Sequence, residues 1–307
     1  MQKKQVLPGR RNKLLLYSVV MSLSVLQMFV FWVIVNFNSI LLSFKTYENV
    51  AGSYVETIVW FKNITDTYVK MFTEDKFITC IWNSLLFYGI STLGGTVVSL
   101  SFSYYIYKKG LLGGFFKVML YMPHIVSGMV VTVMYKYFSE KGLPIMMDQL
   151  FGIKMAGFGE NMEVQLAYVV AFNFILSFGA NMLVYTGTMA SISDSVIEAA
   201  QIDGVNTVQE FFYIIMPCIF KTFALFIITG MLTIFTGQGN LFNFYGTDAP
   251  QQYWTYGYYM YVHVKDAGIN YVKLPPLAAM GLCLTFIAIP IIFSLRYLLN
   301  KYGPSEE

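Results

Sequence analysis

The sequence predicts an all-α protein that crosses a membrane about six times, and three observations carry that prediction. Of its 307 residues, 56% are hydrophobic, 18% aromatic and only 12% charged, which is too apolar for a soluble domain of this length. The apolar residues fall in runs of about twenty, enough at 1.5 Å per residue to cross a ~30 Å hydrocarbon core. All three arginines, Arg10, Arg11 and Arg296, lie in connections that the alternation of runs puts on one side, as the positive-inside rule requires. The net charge of +3 is mild and gives no reason to expect nucleic acid as a partner. Cys80, Cys218 and Cys283 are scattered, and His124 and His263 have no second ligand nearby, so neither a disulfide framework nor a metal site is expected.

Residues 1–13 form a basic flank containing Lys3, Lys4, Arg10, Arg11 and Lys13, which should hold the N-terminus in the cytoplasm. Residues 14–35 are the first transmembrane helix. This run is longer than an ordinary signal-peptide core and no small-residue cleavage site follows it. Residues 36–80 read as an external segment, and 81–299 as the transmembrane core. The second span, Ile81 to Tyr107, carries Thr92, Gly95, Ser99 and Ser103 at helical spacing, a face suited to close helix packing. Lys108, Lys109 and Lys117 follow in a short inside connection. A third span is expected from Val118 to Phe138, then an outer loop over 139–163.

The fourth span, Val164 to Thr186, places Asn173, Ser177 and Asn181 four apart on one face. Amides are costly in hydrocarbon, so this face should look into protein or a watery cavity. Interhelical hydrogen bonding and a solute pathway are both open. The fifth span, Phe220 to Phe235, carries Thr229 and Thr233 at similar spacing, and the two polar stripes can face each other across a pore. Amides, hydroxyls and aromatic rings suit a sugar better than an ion, and no acidic or histidine relay crosses the spans. Residues 237–276 form an aromatic external loop, read first as an interfacial belt or packing surface and second as a docking site for an external binding protein. The last span, Leu277 to Leu299, leads to a cytoplasmic tail at 300–307.

Between the fourth and fifth spans lies the longest polar insertion, a loop at 187–217. Ser195 with Glu198 reads as a capping box and Gly204 as a helix stop. Thr207 with Glu210 repeats the start signal, and a second helix runs to Pro217. Ala199 and Ala200 give the first helix a low profile that a partner can approach closely.

Glu198-Ala199-Ala200, Asp203-Gly204, Ile214 and Met216-Pro217 resemble the EAA loop of inner-membrane permeases of binding-protein-dependent ABC importers, in the carbohydrate-uptake, maltose-permease-like branch. Val205, Met216, Tyr213 and Ser193 depart from the usual residues of that pattern. Ser43-Phe44, Asn83-Ser84 and Tyr121 to Pro123 add weaker similarity. The resemblance implies a type I permease fold in a bacterial cell membrane, half of a pore shared with a second permease, an ABC ATPase dimer and a solute-binding protein. It implies that Glu198, Ala199, Ala200, Asp203, Gly204 and Pro217 couple the chain to the ATPase. No GxxxxGK[ST] stretch is present, so no cofactor is expected on this chain, and ATP with magnesium belongs to the partner. An ion-driven carrier and a non-transporting anchor are the competing classes.

Overall fold

The computed structural model describes residues 10–304, apart from short stretches between residues 51 and 74 and the pairs 160–161 and 269–270. Lys3 and Lys4 of the basic flank and the end of the tail lie outside the described residues. The chain forms two compact units, residues 1–70 with 267–283, and residues 71–266 with 284–307.

In the first unit, α1 (residues 10–43) contains a π-helical segment at Phe29–Ile34. Its apolar stretch Tyr17–Ser43 is long enough to cross a membrane, and nearly all its side chains face outward, as a lipid-exposed helix requires. The helix thus runs on into the segment expected to be external. An antiparallel hairpin follows, β1 (Lys45–Val50) and β2 (Ser53–Ile58), with Lys45 opposite Ile58 and Val50 opposite Ser53. On one face Lys45 meets Glu56 at 2.6 Å, and the Tyr47 and Tyr271 rings lie 5.1 Å apart, edge to face. These are the only strands among the described residues, and the fold is otherwise helical.

The second unit contains α2 (residues 75–107), α3 (Gly113–Ile125), α4 (Gly128–Phe151), α5 (Met162–Met189), α6 (Asp194–Ile202), α7 (Thr207–Thr236), α8 (Leu241–Tyr245) and α9 (Tyr256–Ala267). The last helix, α10 (Leu274–Tyr302), contributes residues to both units. Among the described residues five helices are long and apolar enough to span a membrane, and α3 with α4 makes a sixth if that pair counts as one crossing.

The third span is not the straight helix expected over Val118 to Phe138. α3 and α4 meet at 107°, and Val126 and Ser127 at the break are extended. Ser127-Gly128 is a poor helix interior, and Pro123 upstream removes a backbone donor from the same turn. α4 then passes through a π segment at Phe138–Gly142 and ends at Gly152, so a helix fills much of the expected outer loop.

α2 and α5 pack along their length, and the small-residue face of α2 explains why. A Cβ at Gly95 would overlap the Ser177 hydroxyl. Ser99 donates to the Phe178 carbonyl at 3.0 Å and Ser103 to the Met182 carbonyl at 2.8 Å. The helices approach closely because the intervening side chains are small and find partners across the seam.

The aromatic loop is a packing surface. Tyr253, Tyr256 and Tyr258 are buried, and Leu241 and Phe244 join Tyr168, Val169 and Phe172 in one core cluster. Asn83 of α2 donates to the carbonyls of Gln252 and Trp254 at 2.8 and 3.1 Å, and the Ser84 hydroxyl accepts the Tyr256 N–H at 2.9 Å. The loop is thereby fastened to the second span.

Candidate functional site

The polar insertion folds as a short helix standing on a core. Ile197 and Ala200 of α6 are buried, and Ile197 packs with Leu100, Tyr185, Met189, Ile215 and Ile219. Glu198, Ala199 and Asp203 are exposed, and with them Val196 and Ile202, the latter 86% exposed. Two of the nine residues of α6 are therefore its root and the other seven are surface, and that surface combines apolar area with a carboxylate.

Gly204 ends α6 as the sequence predicts. It sits at φ +73°, its N–H donates to the Gln201 carbonyl, and the Val205 N–H reaches back to the Ala200 carbonyl at 3.2 Å. These two bonds satisfy carbonyls that the helix end leaves free, and only glycine takes the left-handed conformation without a steric cost.

The start signals differ from expectation. Ser193, not Ser195, stands at the N-cap of α6, and its hydroxyl bonds that of Ser195 at 2.7 Å instead of a backbone N–H. At α7 the capping box is Asn206 with Gln209, one residue before Thr207 and Glu210. Both pairs carry the right chemistry at the right spacing, and asparagine outcompetes threonine as a cap. Pro217 does not stop the second helix. The π segment Phe211–Ile215 precedes it and Pro217 occupies the first turn of the following α-helical stretch, so α7 runs unbroken to Thr236.

A second feature is a cavity of about 430 Å³, with mixed polar and apolar lining, between α2, α5, α7 and the segment after it. Asn173, Ser177 and Thr233 line it, so the two polar stripes do meet. Asn181 and Thr229 do not line it, and the Thr229 hydroxyl bonds the Leu225 carbonyl of its own helix. A chain of amides builds one wall. Asn243 donates to Asn240 at 2.9 Å, Asn240 donates to Asn173 at 2.8 Å, and Asn173 donates to the Gly239 carbonyl at 2.8 Å. Asn240 holds φ +55°, a conformation asparagine tolerates better than most residues.

The opposite wall, with Tyr88, Ser91 and Thr92, belongs to the π segment Tyr88–Gly94 of α2. A π turn shifts side-chain register within a helix, and such segments are frequent at functional sites. The Ser91 hydroxyl is buried and forms no hydrogen bond within the chain. Every lining residue is neutral, giving amides, hydroxyls and aromatic rings without a charge.

Two features were not read as functional from sequence. Asn240, Asn243 and the π-segment residues come to the cavity from a loop and from a register shift, which helical spacing does not reveal. Glu210, assigned there to a cap, is buried at 3% exposure and paired with Lys108. A lone glutamate beside an apolar run, with a lysine flank elsewhere in the chain, was the available signal.

A helical bundle with a short polar helix between two long apolar helices and a neutral cavity beside them has the fold seen in a solved bacterial ABC importer. Aligned with a chain of the crystal structure of a bacterial alginate ABC transporter in complex with alginate pentasaccharide-bound periplasmic protein, this chain gives a TM-score of 0.71 at 18% identity. That alignment covers 94% of each chain. In sequence the chain is similar to a probable ABC transporter permease, the MG188 homolog of Mycoplasma pneumoniae, at 26% identity over 186 residues, 56% of each protein. It is also similar to the sn-glycerol-3-phosphate transport system permease UgpA of Shigella dysenteriae, at 24% identity over 77% of this chain and 80% of that one. The chain spans about half the length of the first curated relatives it matches, the two Mycoplasma proteins. No family model matches. The resemblance carried by Glu198 to Pro217 thus extends to the fold and to most of the sequence.

Proposed function

We propose that this chain is the permease subunit of an ATP-driven ABC importer. It forms half of the pathway for a carbohydrate delivered by a solute-binding protein. The observation that carries this reading is the pairing, on one chain, of an exposed, core-rooted helix α6 with a neutral cavity among the spans. The helix offers a separate ATPase a surface that can transmit force into packed helices, because Ile197 ties it to the core cluster. In this reading Glu198, Ala199, Asp203 and Gly204 present or shape that surface, Ala200 roots it, and Pro217 marks where the following span begins its regular course.

The termini and the 187–217 loop lie in the cytoplasm of a bacterial cell, and the 237–276 segment lies outside. ATP and magnesium act on the partner ATPase, and the chain itself supplies no catalytic group. Asn173, Ser177 and Thr233 contact the solute, whereas Asn181 and Thr229 serve helix packing. Neutral amide and hydroxyl groups beside aromatic rings match the hydroxyls and carbon faces of a sugar.

Mild-detergent purification of the tagged chain from its native membrane, with mass spectrometry of what accompanies it, tests this reading. A P-loop ATPase together with a second permease is the expected result. A folded chain recovered alone or only with itself would remove the motor and overturn the proposal.

A further inference from the structure

Glu210 lies in the first turn of α7 and is 3% exposed. Its two carboxylate oxygens accept from the Lys108 ammonium at 2.9 and 3.0 Å. The Tyr104 hydroxyl lies 3.3 Å from the same carboxylate and 3.2 Å from the Thr207 carbonyl, and its ring packs on Phe211 with centroids 5.2 Å apart. Lys108 is the residue that closes α2, whose middle is the cavity segment Tyr88–Gly94. The pair therefore joins the root of the polar loop to the second span across 102 residues of sequence.

Each helix that carries one partner also carries a cavity wall. In α2, Lys108 lies 20 residues from Tyr88, and in α7, Glu210 lies 23 residues before Thr233, distances on the order of 30 Å along a helix. Near the cavity the two helices touch again, where a Cβ on Gly230 would overlap Thr92. The two helices are thus joined at two points, at the end of α2 and at its middle.

Resting on the importer reading, we infer that Glu210 and Lys108 are positioning residues for coupling. They form a latch that makes displacement of the α6–α7 root carry the α2 wall of the cavity along with the α7 wall. A buried carboxylate with one cationic partner suits this role, because a lost partner leaves an uncompensated charge and the joint has no weak intermediate state. The neighbouring coupling surface on α6 is a separate set of side chains, and the latch has no need to touch the ATPase.

The test uses the whole complex purified from its native membrane and placed in nanodiscs, with ATP, magnesium and vanadate as the only ligands. Spin labels at Tyr88→Cys and Thr233→Cys, with Cys218→Ser, report the distance across the cavity. In the otherwise unaltered protein that distance should be the same before and after vanadate trapping. Lys108→Met and Glu210→Gln should each retain vanadate-sensitive ATP hydrolysis within about twofold while the trapped distance shifts or broadens by about 2 Å or more. Unchanged distances in both variants would overturn the latch, as would failure of both variants to assemble, which would make the pair a folding contact. Absence of vanadate-sensitive hydrolysis in the unaltered complex would instead overturn the importer reading on which the latch rests.

Discussion

The polar loop and the membrane cavity are built on opposite principles. The loop is local: within 24 residues, from Ser193 to Met216, it holds a helix, a left-handed glycine stop, a capping box and a π segment, each dictated by near neighbours. The cavity is assembled from α2, α5, α7 and the segment after α7, and its amide chain links Asn173 to Asn240, 67 residues away. The loop shows seven of the nine residues of its helix to solvent, whereas the cavity turns polar groups inward. The backbone turns of the loop are thus set locally, although Ile197 still needs Leu100 and Tyr185 beneath it, whereas the cavity requires the bundle to be packed first.

The largest expected effect comes where bundle packing and cavity meet. Gly95→Val forces a branched side chain against Ser177 at the α2–α5 seam. Overpacking of this kind costs about 1–3 kcal/mol and should lower the melting temperature in detergent and reduce assembled complex. Gly204→Val attacks the loop instead. A β-branched residue at φ +73° costs about 1–2 kcal/mol locally, so ATP-coupled uptake should fall sharply while the melting temperature of the spans holds. Together the two variants separate scaffold from docking surface.

Smaller effects sharpen the same contrast. Asn173→Ala removes the acceptor of Asn240 and the donor to Gly239, a loss of about 1–3 kcal/mol of positioning, and should raise the KM of uptake with ATP hydrolysis still present. Asn206→Ala deletes the cap of α7 at about 1 kcal/mol, and amide hydrogen exchange over residues 207–210 should quicken with little change elsewhere. Asn181→Ala, a position outside the cavity lining, should leave uptake kinetics within about twofold of the parent, because no interaction with solute is removed.

What the sequence reveals follows this division. Helical spacing found Asn173, Ser177 and Thr233, and the small face of Thr92, Gly95, Ser99 and Ser103, since periodicity survives any tertiary arrangement. It also counted Asn181 and Thr229, because spacing defines a face but not how far along that face a cavity extends. Glu198 to Pro217 announced the loop, and Gly204 behaves as its chemistry demands. The bend at Ser127, the π segments and the helix reaching Phe151 depend on packing beyond local propensity. The Glu210–Lys108 pair was hidden by its separation in the chain, and by a capping pattern that explained Glu210 locally.

On the importer reading proposed above, force enters this chain through the exposed face of α6. Its most direct test is site-directed cross-linking in native membrane vesicles from Val196→Cys and Ile202→Cys, two exposed positions on that helix. The expected result is an adduct between this chain and an ATP-hydrolysing subunit whose yield changes when ATP and vanadate are added. No adduct from either position, in vesicles where the chain is present and inserted, would contradict it.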